Sequence, residues 1–184
     1  IGRDVRPSSE ELAQAVARGL MDAGAEVMDL GLSGTEETYF AVTHLGADGG
    51  ICVTASHNPM DYNGMKMVQE GSAPIGNDSG MAAIKARAES GDLGPDEDGG
   101  RLTDVSDTGA AYVAKLMEFV DVSALKPMKV LVNAGHGAAG PTFDAIAQAL
   151  EAAGAPLEFV RIDHAPDGRF PNGIPNPLLD ENQP

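Results

Sequence analysis

The sequence predicts an α/β fold, a mainly parallel sheet with helices on both faces, in a first unit over residues 1–122 and an incomplete second unit of similar topology over 123–184. Three observations predict it. Short apolar or β-branched runs alternate with stretches whose apolar residues recur at helical spacing, the pattern of strands joined by crossover helices. Glycine-rich turns stand at the joins, as in Gly31–Gly34 and Gly135–Gly140. Leu20, Ala23, Gly24 and Ala25 also find counterparts 130 residues later in Leu150, Ala153, Gly154 and Ala155, so two copies of one strand-helix-strand unit are expected.

In chain order, Ile1-Gly2-Arg3-Asp4 reads as the tail of a strand, and the chain as a piece of a longer protein. Ser8 or Ser9 is expected to cap the first helix, which carries Glu10 and Glu11 near the positive end of its dipole. Leu12, Val16 and Leu20 share one helical face with Ala13, Ala17 and Met21, and Gly24 ends the helix. Ala25–Leu30 reads as a short buried strand. A second helix, Thr35–Leu45, starts on the polar, acidic Thr35-Glu36-Glu37-Thr38. Gly49–Val53 is the next strand, and Asn63-Gly64 turns the chain into a further apolar segment containing Lys66.

Beyond Gln69 the signals thin. Asn77-Asp78-Ser79 is expected to cap a helix over Met81–Ala88, and Ser90–Gly100, rich in Gly, Pro and acids, reads as a solvated loop or hinge. A helix over Asp107–Phe119 is expected to turn Tyr112, Leu116 and Phe119 inward, with Ser123–Pro127 as linker. The pattern then restarts. Val130-Leu131-Val132 reads as a strand, Gly135–Gly140 as a turn, and Thr142–Ala153 as a helix with Phe143, Ile146 and Leu150 inward. Leu157–Ile162 follows as a strand, and Pro166–Pro177 as a Pro/Asn-rich tail.

Composition bounds the function. Of 184 residues 42% are hydrophobic but only 4% aromatic, with no Trp, so the core must rest on Val, Leu, Ile, Met and Ala. The formal net charge of -16 repels phosphate backbones and anionic lipid, which argues against nucleic acid or a membrane surface as partner. A site for an anionic sugar phosphate must therefore gather positive charge locally. Cys52 is the single cysteine and cannot form an internal disulfide, which predicts a cytoplasmic protein. No apolar stretch reaches the length of a membrane span, and no charged-apolar-small leader opens the chain.

The chemistry centres on Thr54-Ala55-Ser56-His57-Asn58-Pro59, which presents a hydroxyl on a loop between two strands. Ser56 admits three readings. It is a turn residue, since Ser, Asn and Pro all favour turns. It is a hydrolase nucleophile with His57 as base, although adjacent residues of an extended chain point to opposite sides and no Gly-x-Ser-x-Gly elbow is present. Or it carries a phosphoryl group, which requires nearby positive charge and a proton acceptor and donor at the accepting hydroxyl. Lys66 and His57 are the nearest candidates for those roles, and Arg3 and Arg6 add charge if the first strand ends beside this loop.

The run TASHNP followed by Asn63-Gly64-Met65-Lys66, together with SGTEETYF, GHGAAGP and PDGRFPNGIPNPL, resembles the alpha-D-phosphohexomutase superfamily over nearly the whole chain, and its bacterial phosphomannomutase/phosphoglucomutase branch most. The resemblance implies that Ser56 is the phosphoserine, Lys66 a general acid/base and His57 a neighbour that orients or assists. Arg3 and Asn58 are expected to bind substrate or phosphate. The resemblance further implies exchange of hexose 6-phosphate and hexose 1-phosphate through a hexose 1,6-bisphosphate, mannose first and glucose second. Mg2+ is expected to take the Ser56 phosphoryl oxygen as a ligand. The family's remaining metal ligands come from an Asp-Gly-Asp-x-Asp-Arg loop that does not occur in this sequence, so these 184 residues alone are expected to be inactive.

A rival reading comes from Gly135-His136-Gly137-Ala138-Ala139-Gly140. It fits G-x-G-x-x-G between a strand and a helix, with Glu158 or Asp163 placed to meet a ribose hydroxyl, as in an NAD-dependent oxidoreductase. The same glycines also serve any tight strand-to-helix turn. A non-catalytic binding module is a further alternative. His136 reads as a packing or capping residue of the turn and His164 as a surface-loop residue, and neither has the spacing of a zinc site.

Overall fold

The computed structural model describes residues 1–173, 176, 179 and 180. The chain enters through β1 (Gly2–Arg3) and turns into α1 (Ser9–Asp22), which buries Ser9, Ala13 and Ala17. Leu12, Val16 and Leu20 are only half-buried, so small side chains make the closest approach. Ser8 occupies the N-cap position without a side-chain cap bond. The hydroxyls of Ser8 and Ser9 instead accept from Asn63 Nδ2 at 2.9 and 2.8 Å, which spends the expected caps on the Ser56 loop.

β2 (Glu26–Asp29) falls within the predicted strand, and β3 (Gly31–Leu32) is a short strand in the stretch read as a turn. α2 (Thr35–His44) begins as its acidic start predicts, with Gly34 N donating to Glu37 Oε2 at 2.7 Å. β4 (Gly49–Val53), β5 (Met65–Gln69) and β6 (Ala73–Pro74) follow, then α3 (Ala82–Ser90), β7 (Arg101–Asp104) and α4 (Thr108–Met117). The second unit consists of β8 (Met128–Asn133), α5 (Ala139–Ala152) and β9 (Leu157–Ile162).

The main sheet runs β3-β1-β4-β5-β6. β1 is parallel to both neighbours, with Gly2 opposite Gly31 and Cys52, while β5 and β6 add antiparallel strands at one side. β2 pairs in parallel with β7, and β8 with β9. The core under the site is aliphatic, with Val53, Cys52 and Val68 at 0%, 1% and 2% exposure. Burial raises the Cys52 thiol pKa, chiefly by desolvation. Among the described residues no helix is long and apolar enough to cross a membrane.

The repeated residues share a helix ending, while the strands around them pair differently: β2 joins β7, and β9 joins β8. Gly24 and Gly154 both end a helix at φ +80, and Ala25 N and Ala155 N each reach back, at 2.9 Å, to Leu20 O and Leu150 O. The two units meet where α4 packs against both α2 and α5, with Tyr112 tilted on Phe40 at 5.5 Å and Thr142 Oγ1 donating to Glu37 Oε1 at 2.9 Å.

Three features depart from expectation. β7, for which no strand is expected, has all four residues exposed and leaves no hydrophobic period; parallel pairing with β2 and an Arg101–Glu26 ion pair at 2.6 Å hold it. α4 unwinds after Met117 into i→i+3 bonds, so Phe119 leaves the helical face and stands 75% exposed under the Lys115 ammonium. α5 starts at Ala139 and includes Pro141, whose missing N–H falls in a first turn that has no intrahelical partner for it.

Candidate active site

The loop after β4 is built from the first strand outward. Asp4 N donates to Val53 O at 3.0 Å, which ties the end of β1 to the end of β4. Asp4 then receives Ser9 Oγ, Arg6 N and, at 2.7 Å, Thr54 Oγ1. Thr54 Oγ1 in turn accepts from Ser56 N at 3.0 Å. Below the loop lies Arg6, 2% exposed. Its Nε donates to Asp4 Oδ2, Nη1 to Pro59 O and Tyr62 O, and Nη2 to Ser56 O and Asn58 O at 3.0 and 2.7 Å.

Ser56 sits on this cradle with φ +55, a left-handed conformation uncommon for a non-glycine residue and sustained only when its surroundings over-determine it. The residue is exposed. Its Oγ lies 3.1 Å from His57 Nδ1. The expectation that His57 points away assumed an extended chain, and the left-handed turn at Ser56 removes that obstacle. The serine–histidine pair is thus within hydrogen-bond reach.

The other predicted residues divide. Lys66 lies exposed on β5 opposite Cys52, without an ion-pair partner among the described residues. Arg3 does not turn toward Ser56: its guanidinium is held by Glu10 and by Asp29. Asn58 is committed to the loop itself, with Nδ2 donating to Ala55 O at 2.9 Å. Both residues expected to bind phosphate are therefore engaged by the fold. Arg6, expected to add charge, spends its donors on the Asp4 carboxylate and on backbone carbonyls. Asp4, Thr54, Asn63 and Phe170 were not anticipated. The one sequence signal for the first of them is an Asp-x-Arg step at the end of the opening strand.

Ser56 and His57 line a cleft of about 220 Å3 with Asp4, Arg6, Thr54 and, from the second unit, Gly137, Ala138 and Phe170. The GHGAAG turn thus forms a wall of this cleft. Its third glycine, Gly140, is required because a Cβ there would collide with the carbonyl oxygen of His164. Glu158 pairs with Lys129 at 2.7 Å, and Asp163 receives Asn172 Nδ2 at 2.6 Å, so neither acid is presented for a ribose. His136 packs in the turn as expected, its Nδ1 3.0 Å from Ala165 O. His164 is not a loose surface residue: its Nε2 is 2.9 Å from Asp144, and that contact, with Arg161, holds the Asp144 carboxyl below its usual range. Arg169 likewise holds Asp167 well below the carboxylate range. Among the described residues no three His, Cys, Asp or Glu side chains gather as a metal site.

Residues 1–94 match the family model for phosphoglucomutase/phosphomannomutase alpha/beta/alpha domain I, and residues 110–183 that for domain II. A phosphomannomutase of Salmonella montevideo is 55% identical over 183 residues, covering 98% of this chain and 40% of that protein. One from Escherichia coli is 52% identical with the same coverage. A crystal structure of a phosphoglucomutase/phosphomannomutase family protein from Burkholderia thailandensis superposes with a TM-score of 0.82 at 34% identity, covering 98% of this chain and 39% of that one. The chain spans about 40% of the length of the curated relatives it matches. The two family domains, matched in order over residues 1–94 and 110–183, establish that the chain belongs to the phosphoglucomutase/phosphomannomutase family.

Proposed function

We propose that the full-length protein is a phosphohexomutase of the phosphomannomutase type, with Ser56 as its phosphoryl carrier and a phosphorylated hexose as substrate. The observation that carries this reading is the exposed Ser56 hydroxyl at φ +55, 3.1 Å from His57, on a loop whose carbonyls a buried arginine holds from beneath. The relatives named phosphomannomutase, 52% and 55% identical, support mannose phosphate as first substrate, and the family's description as phosphoglucomutase/phosphomannomutase is the ground for proposing glucose phosphate as second.

In the proposed cycle the bond between phosphorus and Ser56 Oγ breaks as a sugar hydroxyl oxygen bonds to phosphorus. The hydroxyl proton passes to a base, and Ser56 Oγ regains a proton. His57, beside Oγ, suits the serine end of that transfer. Lys66 is proposed for the sugar end, where as a neutral amine it takes the hydroxyl proton and the ammonium so formed offsets the anion against a strongly acidic chain. The hexose 1,6-bisphosphate then turns over and returns its other phosphoryl group to Ser56 by the reverse steps. Mg2+, when bound, neutralises charge on the transferring group. The described residues do not make its site: Asp4, the carboxylate at the loop, has both oxygens occupied by Arg6, Ser9 and Thr54, which leaves a phosphoryl oxygen on Ser56 as the one ligand offered here.

Intact mass of the full-length protein tests the carrier. One added phosphoryl group is expected, absent in Ser56→Ala, together with interconversion of mannose 1- and 6-phosphate followed by phosphorus NMR. A Ser56→Ala variant that kept both the mass increment and full turnover would overturn the reading.

A further inference from the structure

We propose that Arg6 is a positioning residue for Ser56 and that the second unit, through Phe170, holds Arg6 in place, so that the contact between the two units sets the geometry of the serine loop. The proposal rests on the phosphoryl-transfer reading for its catalytic consequence and on geometry alone for its structural one.

A guanidinium offers five N–H donors in a planar fork. Here they meet Asp4 and four carbonyls of one short loop, those of Ser56, Asn58, Pro59 and Tyr62. Arg6 therefore has no donor left for a ligand, although it lines the cleft. Four carbonyls converging on one buried point would be unsatisfied acceptors without it, and the left-handed turn at Ser56 would lose what over-determines it.

The cover on Arg6 comes from elsewhere in the chain. Phe170 lies over the guanidinium, 5.7 Å from ring centroid to Cζ. Phe170 itself has φ +45 and is fixed by its N–H donating to Asp167 O at 2.9 Å. Two residues earlier, Gly168 lies so close to the β1–α1 turn that a Cβ would collide with Val5 O. The Asp167 N–H donates to His136 O at 2.8 Å, which joins this loop to the GHGAAG turn, whose Gly137 and Ala138 also line the cleft. Movement of the second unit away from the first would therefore uncover Arg6 and release the Ser56 loop.

The test uses the full-length protein with Arg6→Lys, which keeps the charge but not the fork, and Phe170→Ala, which removes only the cover. Hydrogen exchange is read at residues 55–62 against Met67–Gln69 of β5 as internal reference. Both variants should speed exchange in the loop by about tenfold, as expected for losing one or two net hydrogen bonds, with the reference unchanged. Turnover should fall by about tenfold to a hundredfold at little-changed KM, since a displaced nucleophile costs rate rather than binding. Phe170→Tyr, which keeps the ring, should restore both. Unchanged loop exchange in Arg6→Lys would overturn the clamp, and unchanged exchange in Phe170→Ala would overturn the coupling between units. A wild-type protein without mutase turnover would sink the phosphoryl-transfer reading instead, and the exchange data would still decide the clamp.

Discussion

Two turns in this molecule share a backbone device and differ in what they leave free. The loop after β4 passes through a left-handed residue at Ser56, φ +55, and the turn after β8 through Gly135 and His136 at φ +55 and +57. In the second turn the polar atoms are absorbed locally: His136 meets Ala165 O and Asp163, and Asn172 bridges to Asp163. In the first the network lies below the loop, on Asp4, Arg6 and Thr54, and the Ser56 hydroxyl stays exposed. The supporting strands differ as well. β4 ends in Cys52 and Val53 at 1% and 0% exposure, whereas Leu131 in the middle of β8 is 61% exposed. A strained turn presents chemistry where a buried layer carries the strain and the reactive atom is left out of the network.

The largest effect that would sharpen this contrast is on turnover. In the full-length protein Ser56→Ala should reduce mutase turnover by about 10^4-fold or more, since loss of a covalent carrier removes the pathway. His57→Ala should cost about 10^2-fold to 10^4-fold as a lost proton-transfer partner, while His136→Ala leaves the chemistry near wild type and instead lowers stability by about 1–3 kcal/mol by orphaning its hydrogen-bond partners. Equal kinetic losses in the two histidine variants would erase the distinction between the turns.

Smaller effects test the two strands. Val53→Ala should destabilise by about 2 kcal/mol in urea unfolding and Leu131→Ala by less than about 0.5 kcal/mol, because only the first side chain is sealed from water. The smallest effect is a pH slope. Burial raises the Cys52 thiol pKa, so the folded chain keeps a proton that the unfolded chain releases above about pH 8.5. Its contribution to stability is present below that pH and is lost as pH rises through the folded value. Urea midpoints at pH 8 and 10 should therefore diverge less in Cys52→Ala than in the natural chain.

How much of this was legible in the sequence varied with the kind of interaction. The existence of the helices, the helix ends at Gly24 and Gly154, and the TASHNP loop depend on neighbours within a turn or two and were legible, although the ends of α4 and α5 shifted by up to three residues. β7 escaped because an exposed strand leaves no hydrophobic period. Asp4 and Thr54 escaped because nothing in either residue's neighbourhood names the other.

By itself the sequence determined the alternation of strands and helices, the family and the serine at the centre of the loop, since these are written in spacing and short motifs. Only the tertiary structure decided what surrounds that serine. It turned Arg3 toward Glu10 and Asp29, drew Arg6 under carbonyls 50 or more residues away, and laid Phe170 over it. The register of β1 against β4 places Arg3 opposite Val53, and that pairing delivers Asp4 to Thr54 and Arg6 to Ser56. The positioning of the serine is thus set by partners distant in sequence, because five directional donors can be satisfied together only where the packed sheet brings their acceptors to one point.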